Sequence, residues 1–580
     1  MQIFRTHKKG FLSLLLVIFF LVVFFLPSPS PEKSANQTFE EYLQNWFVED
    51  VSSNPLNLHY TLADPSSYGI TMTNFQLNSS QDTSVIYKNR LDILYNIPSE
   101  QLSDANQLTQ QILCLAYETE LEADAYLLLN EVLSPSLGIQ AQLPILLAEY
   151  TFREEEDIQN YLRMLSSVYS YFEDILAFEQ EKALQGTFMS DTTATRIIEQ
   201  CSAFIANPEN NYLDSIFHSN LDALEHLTEK KKTTYQALHT KLIQTQIIPA
   251  YQMLIDRLTE LKGSGKNENG LYYYPNGTKY YEYLLKSNCG LYESVSDIQN
   301  RLLQQMEQDL LTSEEIITRN PAALENYSTA ETDYTQSPQQ ILETLQQTLL
   351  QDFPPISNVN YEVKYVHEDL EEYLSPAFYL TPPIDTLSPN TIYINGNEEL
   401  KGIHLFTTLA HEGFPGHLYQ TIYFSSCNPT PIRQLLNFSG YVEGWATYVE
   451  SYAYSYYDNN SDISRLNQIN QSMNLCILSF LDTKIHYDGW TLSETSAYLD
   501  YFSITDPAIH QEIFQTIIES PSNYVKYYVG SLHFADLREQ IKLQMGENFS
   551  LSEFHKKILE IGPCQFPILE REVQKYFLPD

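Results

Sequence analysis

Glycine and basic residues are both scarce in this sequence. It has 19 Gly among 580 residues, and 33 Lys and Arg stand against 74 Asp and Glu, which gives a net charge of −41. This charge argues against nucleic acid as a partner, because a phosphate backbone is bound through Lys and Arg. It argues equally against adsorption to an anionic membrane surface. No dense basic run occurs beyond residues 230–232.

Cysteine is also sparse, and its spacing contains no C-x-x-C pair. A site in which cysteines hold a metal is therefore not expected. Isolated buried thiols are the simplest interpretation, and one or two disulfides are the alternative if the protein is exported. The six positions are Cys114, Cys201, Cys289, Cys427, Cys476 and Cys564.

The rest of the composition is typical of a folded, helical protein. Charged residues make up 18% and hydrophobic residues 43%, so the chain is not a disordered acidic polymer. Its length allows three or four domains of about 150 residues. Few glycines and long stretches of Leu, Gln, Glu and Tyr favour helices over turn-rich β structure. We expect a mainly α fold, a large helical body around a central cleft, with one small β-sheet next to the helix that carries the site.

The amino terminus has the pattern of an export signal. Arg5, Lys8 and Lys9 precede an apolar run at residues 11–26, which a Ser/Pro segment follows. At about 1.5 Å per residue this run is slightly short of a bilayer core, so a cleaved signal peptide and an uncleaved anchor are both compatible with it. No Cys follows that a lipid could modify. The body is expected outside the cytoplasm, secreted or anchored to the cell membrane by this segment.

Hydrophobic periodicity divides the chain into three parts. Residues 1–34 are the signal or anchor with its tether, residues 35–265 are an N-terminal helical region, and residues 266–580 are a second helical region. The second region contains the small sheet, at about residues 359–395, and the two regions are expected to form one unit. Alternating patterns predict its strands at Asn360–Val366, Ala377–Leu380 and Thr391–Asn395.

The segment His411-Glu412-Gly413-Phe414-Pro415-Gly416-His417 is the most informative in the chain. In the zinc-peptidase helix H-E-x-x-H the two His are four residues apart and share one face. Here they are six residues apart, which on a regular helix places them on faces about 120° apart. A regular helix would therefore not bring both imidazoles to one ion.

The residues between the two His prevent a regular helix. Pro415 has no N–H, so the carbonyl of His411 loses its donor four residues on. Gly413 and Gly416 relax the backbone limits on either side. We expect the two extra residues to be accommodated as a bulge that re-phases the helix, so that His411 and His417 converge.

A third ligand is expected from the segment that begins at Gly440. Glu443 and Glu450 are seven residues apart and share one face of a helix. Glu443 is the ligand candidate, and Glu450 is expected to orient a ligand imidazole through its free ring nitrogen. A Zn²⁺ ion lowers the pKa of a bound water to near 7, and Glu412 is positioned by its place in the chain to act as general base.

Several stretches together resemble the bacterial family known as domain of unknown function 885. They are the H-E-G-F-P-G-H segment, residues 440–450, and residues 280–285, 375–379, 390–395, 481–491 and 521–538. That family is regarded as metallopeptidase-like and is similar, more distantly, to helical zinc carboxypeptidases and oligopeptidases. The resemblance implies His411, His417 and Glu443 as ligands of one zinc ion and Glu412 as the base.

The resemblance also suggests residues beyond the metal ligands. Tyr527 and His486 are candidates to stabilise the oxyanion or fix the substrate, and for both a packing role is an equal alternative. Arg538 could receive a substrate carboxylate, although an ordinary salt bridge is the favoured interpretation. Where the family has Gly-Gln after Pro521, this chain has Ser-Asn, so any hydrogen bond made by that Gln would fall to the shorter Asn523.

These observations together predict an exported zinc metallopeptidase that hydrolyses short peptides, because helical peptidases of the similar families enclose a deep channel. Carboxypeptidase and oligopeptidase modes are both open, as are the oligomeric state and the substrate sequence. The alternatives are a non-catalytic surface binding protein on a peptidase scaffold and a metallohydrolase of non-peptide amides or esters.

Overall fold

A computed structural model describes residues 34–579 except for the gaps at 73, 78–82, 136, 326, 328–335, 349–350, 357–358, 367–370, 372–374, 397–399 and 458–460. The apolar run at residues 11–26, predicted to be a signal or anchor, lies outside the described residues. Within them, no helix combines the length and the apolar character that a bilayer crossing requires.

The N-terminal region is helical from its first described residues to the loop at residue 262. Its helices are α1 (Ala35–Val51), α2 (Pro55–Thr61), α3 (Ser84–Asn96), α4 (Asp104–Glu120), α5 (Ile139–Ala148), α6 (Glu155–Leu165), α7 (Val168–Gln185), α8 (Asp191–Phe204), α9 (Tyr212–Asp222), α10 (Glu229–Leu242) and α11 (Ile248–Leu261). A π-helical segment, Ile243–Ile247, joins the last two.

The second region continues with helices on both sides of a small sheet. They are α12 (Gly277–Ser287), α13 (Val295–Arg319), α14 (Pro321–Glu325), α15 (Pro338–Thr348), α16 (Gly402–Glu412), α17 (His417–Ser426), α18 (Ser439–Ala453), α19 (Asp462–His486), α20 (Leu492–Tyr501), α21 (Pro507–Glu519), α22 (Asn523–Met545), α23 (Leu551–Ile561) and α24 (Phe566–Phe577). The mainly α class predicted from the composition is confirmed.

Side-chain caps set many of the helix starts. Ser34, Ser103, Ser294 and Ser461 each accept a hydrogen bond from a backbone N–H three residues on. Such a bond satisfies one of the four N–H groups that the first turn leaves without a partner, and it stabilises the helix by about 1 kcal/mol.

The three predicted strands form one sheet. They are β1 (Glu362–Tyr365), β2 (Ala377–Leu380) and β3 (Thr391–Ile394), in the order β1-β3-β2. β1 is parallel and β2 antiparallel to β3. β2 is therefore an edge strand, and it lies against α16, the helix that carries the first His of the H-E-G-F-P-G-H segment. The predicted sheet next to the site helix is thus confirmed.

Buried apolar side chains form three large clusters. One lies among α1 to α4 and includes Ile432. A second lies mainly among the helices between Leu133 and Leu261 and includes Leu56, Leu77, Val366 and Tyr393. The largest extends from Ile112 to Val573 around the second region. The N-terminal region thus holds two cores. The division of the chain near residue 265 stays a prediction.

All six cysteines are free thiols. Four of them are buried, Cys114 is half-buried and Cys427 is exposed. Isolated thiols, the interpretation favoured by their spacing, are therefore what the structure contains. The disulfide alternative has no pair among the six that would support it.

Candidate metal centre

The H-E-G-F-P-G-H segment is a junction between two helices. α16 ends at Glu412 and α17 begins at His417, so four residues separate them. The predicted bulge inside one continuous helix is therefore wrong. The helix breaks here because the chain passes close to itself at Gly416, where an added Cβ would lie 1.7 Å from the carbonyl oxygen of His411.

Neighbouring groups hold this junction in place. Trp445, a fully buried residue of α18, donates from its indole N–H to the carbonyl of Pro415 at 2.9 Å. The backbone N–H of Tyr419 donates to the carbonyl of Gly413 at 3.2 Å. The junction is thus part of the core, and the two His side chains project from defined ends of their helices.

His411, His417 and Glu443 converge on one point. One ligand atom from each lies within 4.8 Å of the other two. Oε2 of Glu443 is 3.6 Å from Nε2 of His411 and 3.3 Å from Nε2 of His417. Two atoms that are each about 2.1 Å from a tetrahedral zinc ion are about 3.4 Å apart. The distances from Glu443 to both imidazoles therefore fit a single ion.

Glu450 lies behind His411. Its Oε2 is 3.0 Å from Nδ1 of His411, so the ring donates from Nδ1 and leaves Nε2 free to face Glu443. α18 positions both carboxylates on one face, seven residues apart, as their spacing predicted. Nitrogen and carboxylate donors of this kind, with an orienting carboxylate behind one imidazole, suit zinc.

Glu412 is held by the sheet. Its Oε2 accepts a hydrogen bond of 2.9 Å from the backbone N–H of Tyr379 in β2. Burial raises the pKa of Glu412, although the adjacent His411 and His417 act to lower it. Its second carboxylate oxygen remains available for a proton of another group.

Electrostatics keep Glu443 ionised. Burial acts to raise its pKa, but hydrogen bonds to His411 and His417 outweigh burial and hold the pKa well below its usual range. For His411, burial acts to lower the pKa, and Glu443 and Glu450 outweigh it and raise the pKa well above its usual value. The cluster thus carries compensating charges in a largely buried setting.

Tyr527 reaches the same site from α22. Its ring centre is 6.5 Å from that of His411, and burial together with the charges of Glu443 and Glu412 raises its pKa well above its usual value. The phenol therefore stays protonated and can donate a hydrogen bond. Its hydroxyl has no hydrogen-bond partner among the described residues.

Glycines let α18 and α22 approach closely enough to bring Tyr527 and Glu443 together. A Cβ on Gly444 would lie 2.6 Å from the carbonyl carbon of Gly530. A Cβ on Gly530 would in turn lie 2.2 Å from the carbonyl oxygen of Gly440. Only residues without a side chain fit at this crossing.

His486 does not offer a nitrogen to a substrate. It is fully buried; its Nδ1 accepts from the N–H of Leu271 at 3.1 Å, and its Nε2 donates to the carbonyl of Ile517 at 2.9 Å. Burial lowers its pKa to about 4. The candidate catalytic role is therefore corrected to a structural one, the alternative that its sequence position left open.

Arg538 and Asn523 are both on α22. Arg538 pairs with Glu539 at 3.0 Å and donates to the hydroxyl of Tyr448 at 3.1 Å, so the salt bridge favoured from sequence is what forms. Asn523 is half-buried at the first position of the helix, one turn before Tyr527.

Two contributors to the site were not predicted. Tyr379 acts through its backbone N–H, which no side-chain pattern can indicate. Trp445 lies between the two carboxylates of α18 in sequence, and only the fold shows that its indole reaches Pro415. The sequence marks both residues only through their place in stretches that resemble the family.

Comparison with other proteins gives one family and several similar structures, of which two are described here. The profile of the family described as "Bacterial protein of unknown function (DUF885)" matches residues 70–573. The crystal structure of a candidate lipoprotein from Colwellia psychrerythraea has a TM-score of 0.83 at 18% identity, and the alignment covers 94% of this chain and 100% of that chain. A candidate lipoprotein of unknown function from Shewanella oneidensis has a TM-score of 0.62 at 15% identity, with 92% and 99% covered. No curated protein matches the sequence.

Proposed function

The chain belongs to the DUF885 family of bacterial proteins of unknown function. From the residues of its candidate metal centre, we propose that it is an exported zinc metallopeptidase of short peptides. The observation that carries the proposal is the convergence of His411, His417 and Glu443 on one point, at distances that fit a tetrahedral ion. Glu412, adjacent to the first of these in sequence, supplies the base.

Each residue of the site has a part in the proposed reaction. A divalent ion held by the three ligands supplies a more acidic water and a positive charge near the reacting carbonyl. Glu412 takes a proton from the attacking water, and Tyr379 fixes the carboxylate that does so. Tyr527 donates to the substrate oxygen as it becomes negative. The carbon–nitrogen bond then breaks, and Glu412 returns the proton to the leaving amine.

The sheet edge beside Glu412 favours a peptide as the substrate. Pro376 accepts from the N–H of Asn395, so in this antiparallel pair the N–H and C=O groups of Ala377 and Tyr379 point away from β3. One of these groups, the N–H of Tyr379, already binds the base. An extended peptide backbone can pair with the others, whereas a small ester lacks repeating backbone groups.

We further propose an extracytoplasmic location. The basic and apolar pattern at the amino terminus supports export. Two structures with a similar fold are described as lipoproteins, which is consistent with that location. In this chain the first cysteine is Cys114, so a membrane attachment would use the apolar run itself.

Replacement of the base tests the proposed function. Glu412→Gln should lower peptide hydrolysis by at least about 100-fold while zinc content stays at one ion per chain, because the base is lost and the ligands remain. Glu443→Ala should lose the zinc as well. Elemental analysis and mass spectrometry of a peptide mixture measure both effects.

Three outcomes would contradict the proposal. A wild-type protein that holds no metal and cleaves no peptide would indicate a binding protein. Cleavage of esters but not of peptides would indicate the other metallohydrolase class. Equal peptide hydrolysis by the wild type and Glu412→Gln would exclude Glu412 as the base.

A further inference from the structure

A buried carboxylate of α19 lies at the start of α22. Asp482 is fully buried, and its Oδ1 accepts hydrogen bonds from the hydroxyl of Tyr281 at 2.7 Å and from the backbone N–H of Ser522 at 3.0 Å. Ser522 is the residue before α22 and has a positive φ of 67°. Its own side chain makes no capping hydrogen bond.

Asp482 therefore takes the place of a local cap. The first N–H groups of a helix have no partner inside the helix, and a carboxylate is favoured there. The backbone N–H groups of Ser522 and Tyr524 both act to lower the pKa of Asp482, although burial outweighs them and raises it to about 7. Its Oδ2 is buried without a hydrogen bond to the described residues.

α19 also binds the chain on both sides of Ser522. One turn after Asp482, His486 donates to the carbonyl of Ile517 near the end of α21. One turn before Asp482 in sequence, the hydroxyl of Ser479 donates to the carbonyl of Tyr524 at 3.0 Å. α19 thus binds both sides of the turn between α21 and α22, residues 520–522. This gives the segment around residues 479–486 a role that the metal centre does not explain.

This turn sets the position of the candidate oxyanion donor. Tyr527 is on the second turn of α22, four residues after Asn523, so a shift of the first turn moves its hydroxyl relative to Glu443. We infer that Asp482 is a positioning residue, which fixes the first turn of α22 and thereby aims the Tyr527 hydroxyl at the reacting carbonyl. The inference rests on the proposed peptidase function.

Loss of the carboxylate should lower kcat through Tyr527. Asp482→Ala should reduce kcat between about 10- and 100-fold, the range expected when a catalytic group is displaced by about 1 Å. KM for a short peptide and the zinc content should stay within about twofold, because the ligands are on other helices. Asp482→Asn, whose amide oxygen can accept the same two hydrogen bonds that Oδ1 accepts, is the conservative variant and should keep kcat within about threefold of the wild type.

A double-mutant cycle separates positioning from a general structural effect. Tyr527→Phe should lower kcat by about 100-fold, as expected for the loss of one oxyanion donor. In that background Asp482→Ala should cause no further loss, because there is no hydroxyl left to aim. If Asp482→Ala does not fold, Asp482→Ser, whose shorter side chain cannot reach both donors, replaces it in the cycle with the same expectation.

A matched control comes from the N-terminal region. Asp214 also joins helices through its carboxylate, which binds His239 and Thr240. Asp214→Ala should leave kcat unchanged. Equal losses of kcat from Asp482→Ala and Asp214→Ala would reduce Asp482 to a general stabilising role.

Failure of this inference can be told from failure of the proposed function. An unaffected kcat in Tyr527→Phe, or a full loss from Asp482→Ala in that background, overturns the positioning role while zinc-dependent hydrolysis and the effect of Glu412→Gln remain. If the wild type hydrolyses no peptide, the proposed function fails first.

Discussion

Glu450 determines which nitrogen His411 presents. In the neutral ring that would bind a metal ion, an imidazole that donates from Nδ1 has its lone pair on Nε2, the atom that faces Glu443. The orienting carboxylate comes from a helix 39 residues further along the chain, so the tautomer depends on tertiary structure. Sequence spacing predicted the shared face of Glu443 and Glu450, and the structure adds which imidazole Glu450 binds.

Removal of that carboxylate should weaken metal binding without touching a ligand. Glu450→Ala should lower zinc affinity by about 10- to 100-fold, the range for partners that hydrogen-bond a ligand imidazole. Glu307→Ala, at an exposed position of α13, should leave affinity unchanged. Competition with a chelating dye measures both. Equal affinities for the two variants would show that Glu450 does not orient His411.

His486 illustrates what residue type alone does not reveal. A histidine near a metal motif suggests chemistry, but both of its ring nitrogens bind backbone groups in the core. The amino-acid sequence carries no direct record of burial or of backbone partners. The same limit applies to Arg538, whose nearest carboxylate turned out to be the next residue in the chain.

The break between α16 and α17 brings the two histidines together, which helix periodicity alone would not do. The two histidines meet because α16 stops, the chain turns through Gly413 to Gly416, and α17 starts in a new direction. Sequence rules predicted that Pro415 and the glycines would prevent a regular helix. They did not separate a bulge from a break, because that choice depends on the carbonyl and indole contacts around the junction.

A single methyl group at the junction should impair the site. In Gly416→Ala the new Cβ would lie 1.7 Å from the His411 carbonyl, so the helix ends must move apart. Zinc affinity should fall by at least about tenfold although all three ligands are unchanged. Gly263→Ala is the control: the positive φ of 85° disfavours alanine there, but no atom lies within 4 Å of the added Cβ. Calorimetric titration with zinc compares them; unchanged affinity in Gly416→Ala would contradict the junction argument.

At the scale of the whole molecule, the site belongs to the largest of three cores. The mainly α class and the small sheet followed from composition and alternation, because both depend on local patterns. The split of the N-terminal region into two cores could not be predicted from such local patterns, because it depends on which helices pack together over long distances in sequence. Even the second of these cores takes Val366 and Tyr393 from the sheet segment.

Buried neutral histidines make the stability of the whole protein sensitive to acid. Burial lowers the pKa of His486 to about 4 and that of both His59 and His555 to about 3, below the 6.5 of an exposed imidazole. The unfolded chain therefore binds more protons than the folded chain below pH 6.5. Their contribution to stability is fully present above pH 6.5 and is lost as the pH falls towards 4.

A glutamine at position 486 should remove part of this sensitivity. Its amide can accept from Leu271 and donate to Ile517, but it does not titrate. His486→Gln should be less stable than the wild type at pH 7, and the gap should narrow by up to about 1.4 kcal/mol for each pH unit between 6.5 and 4. Thermal unfolding of both proteins across that range tests this. A gap that stays constant with pH would contradict it.

The glycine crossing of α18 and α22 has a consequence for how the site can move. At Gly440, Gly444 and Gly530 the backbones of the two helices are in direct contact, so we expect Glu443 and Tyr527 to move together. A change in the spacing between these helices and the base Glu412 would then have to come from the side of β2, the edge strand that binds Glu412.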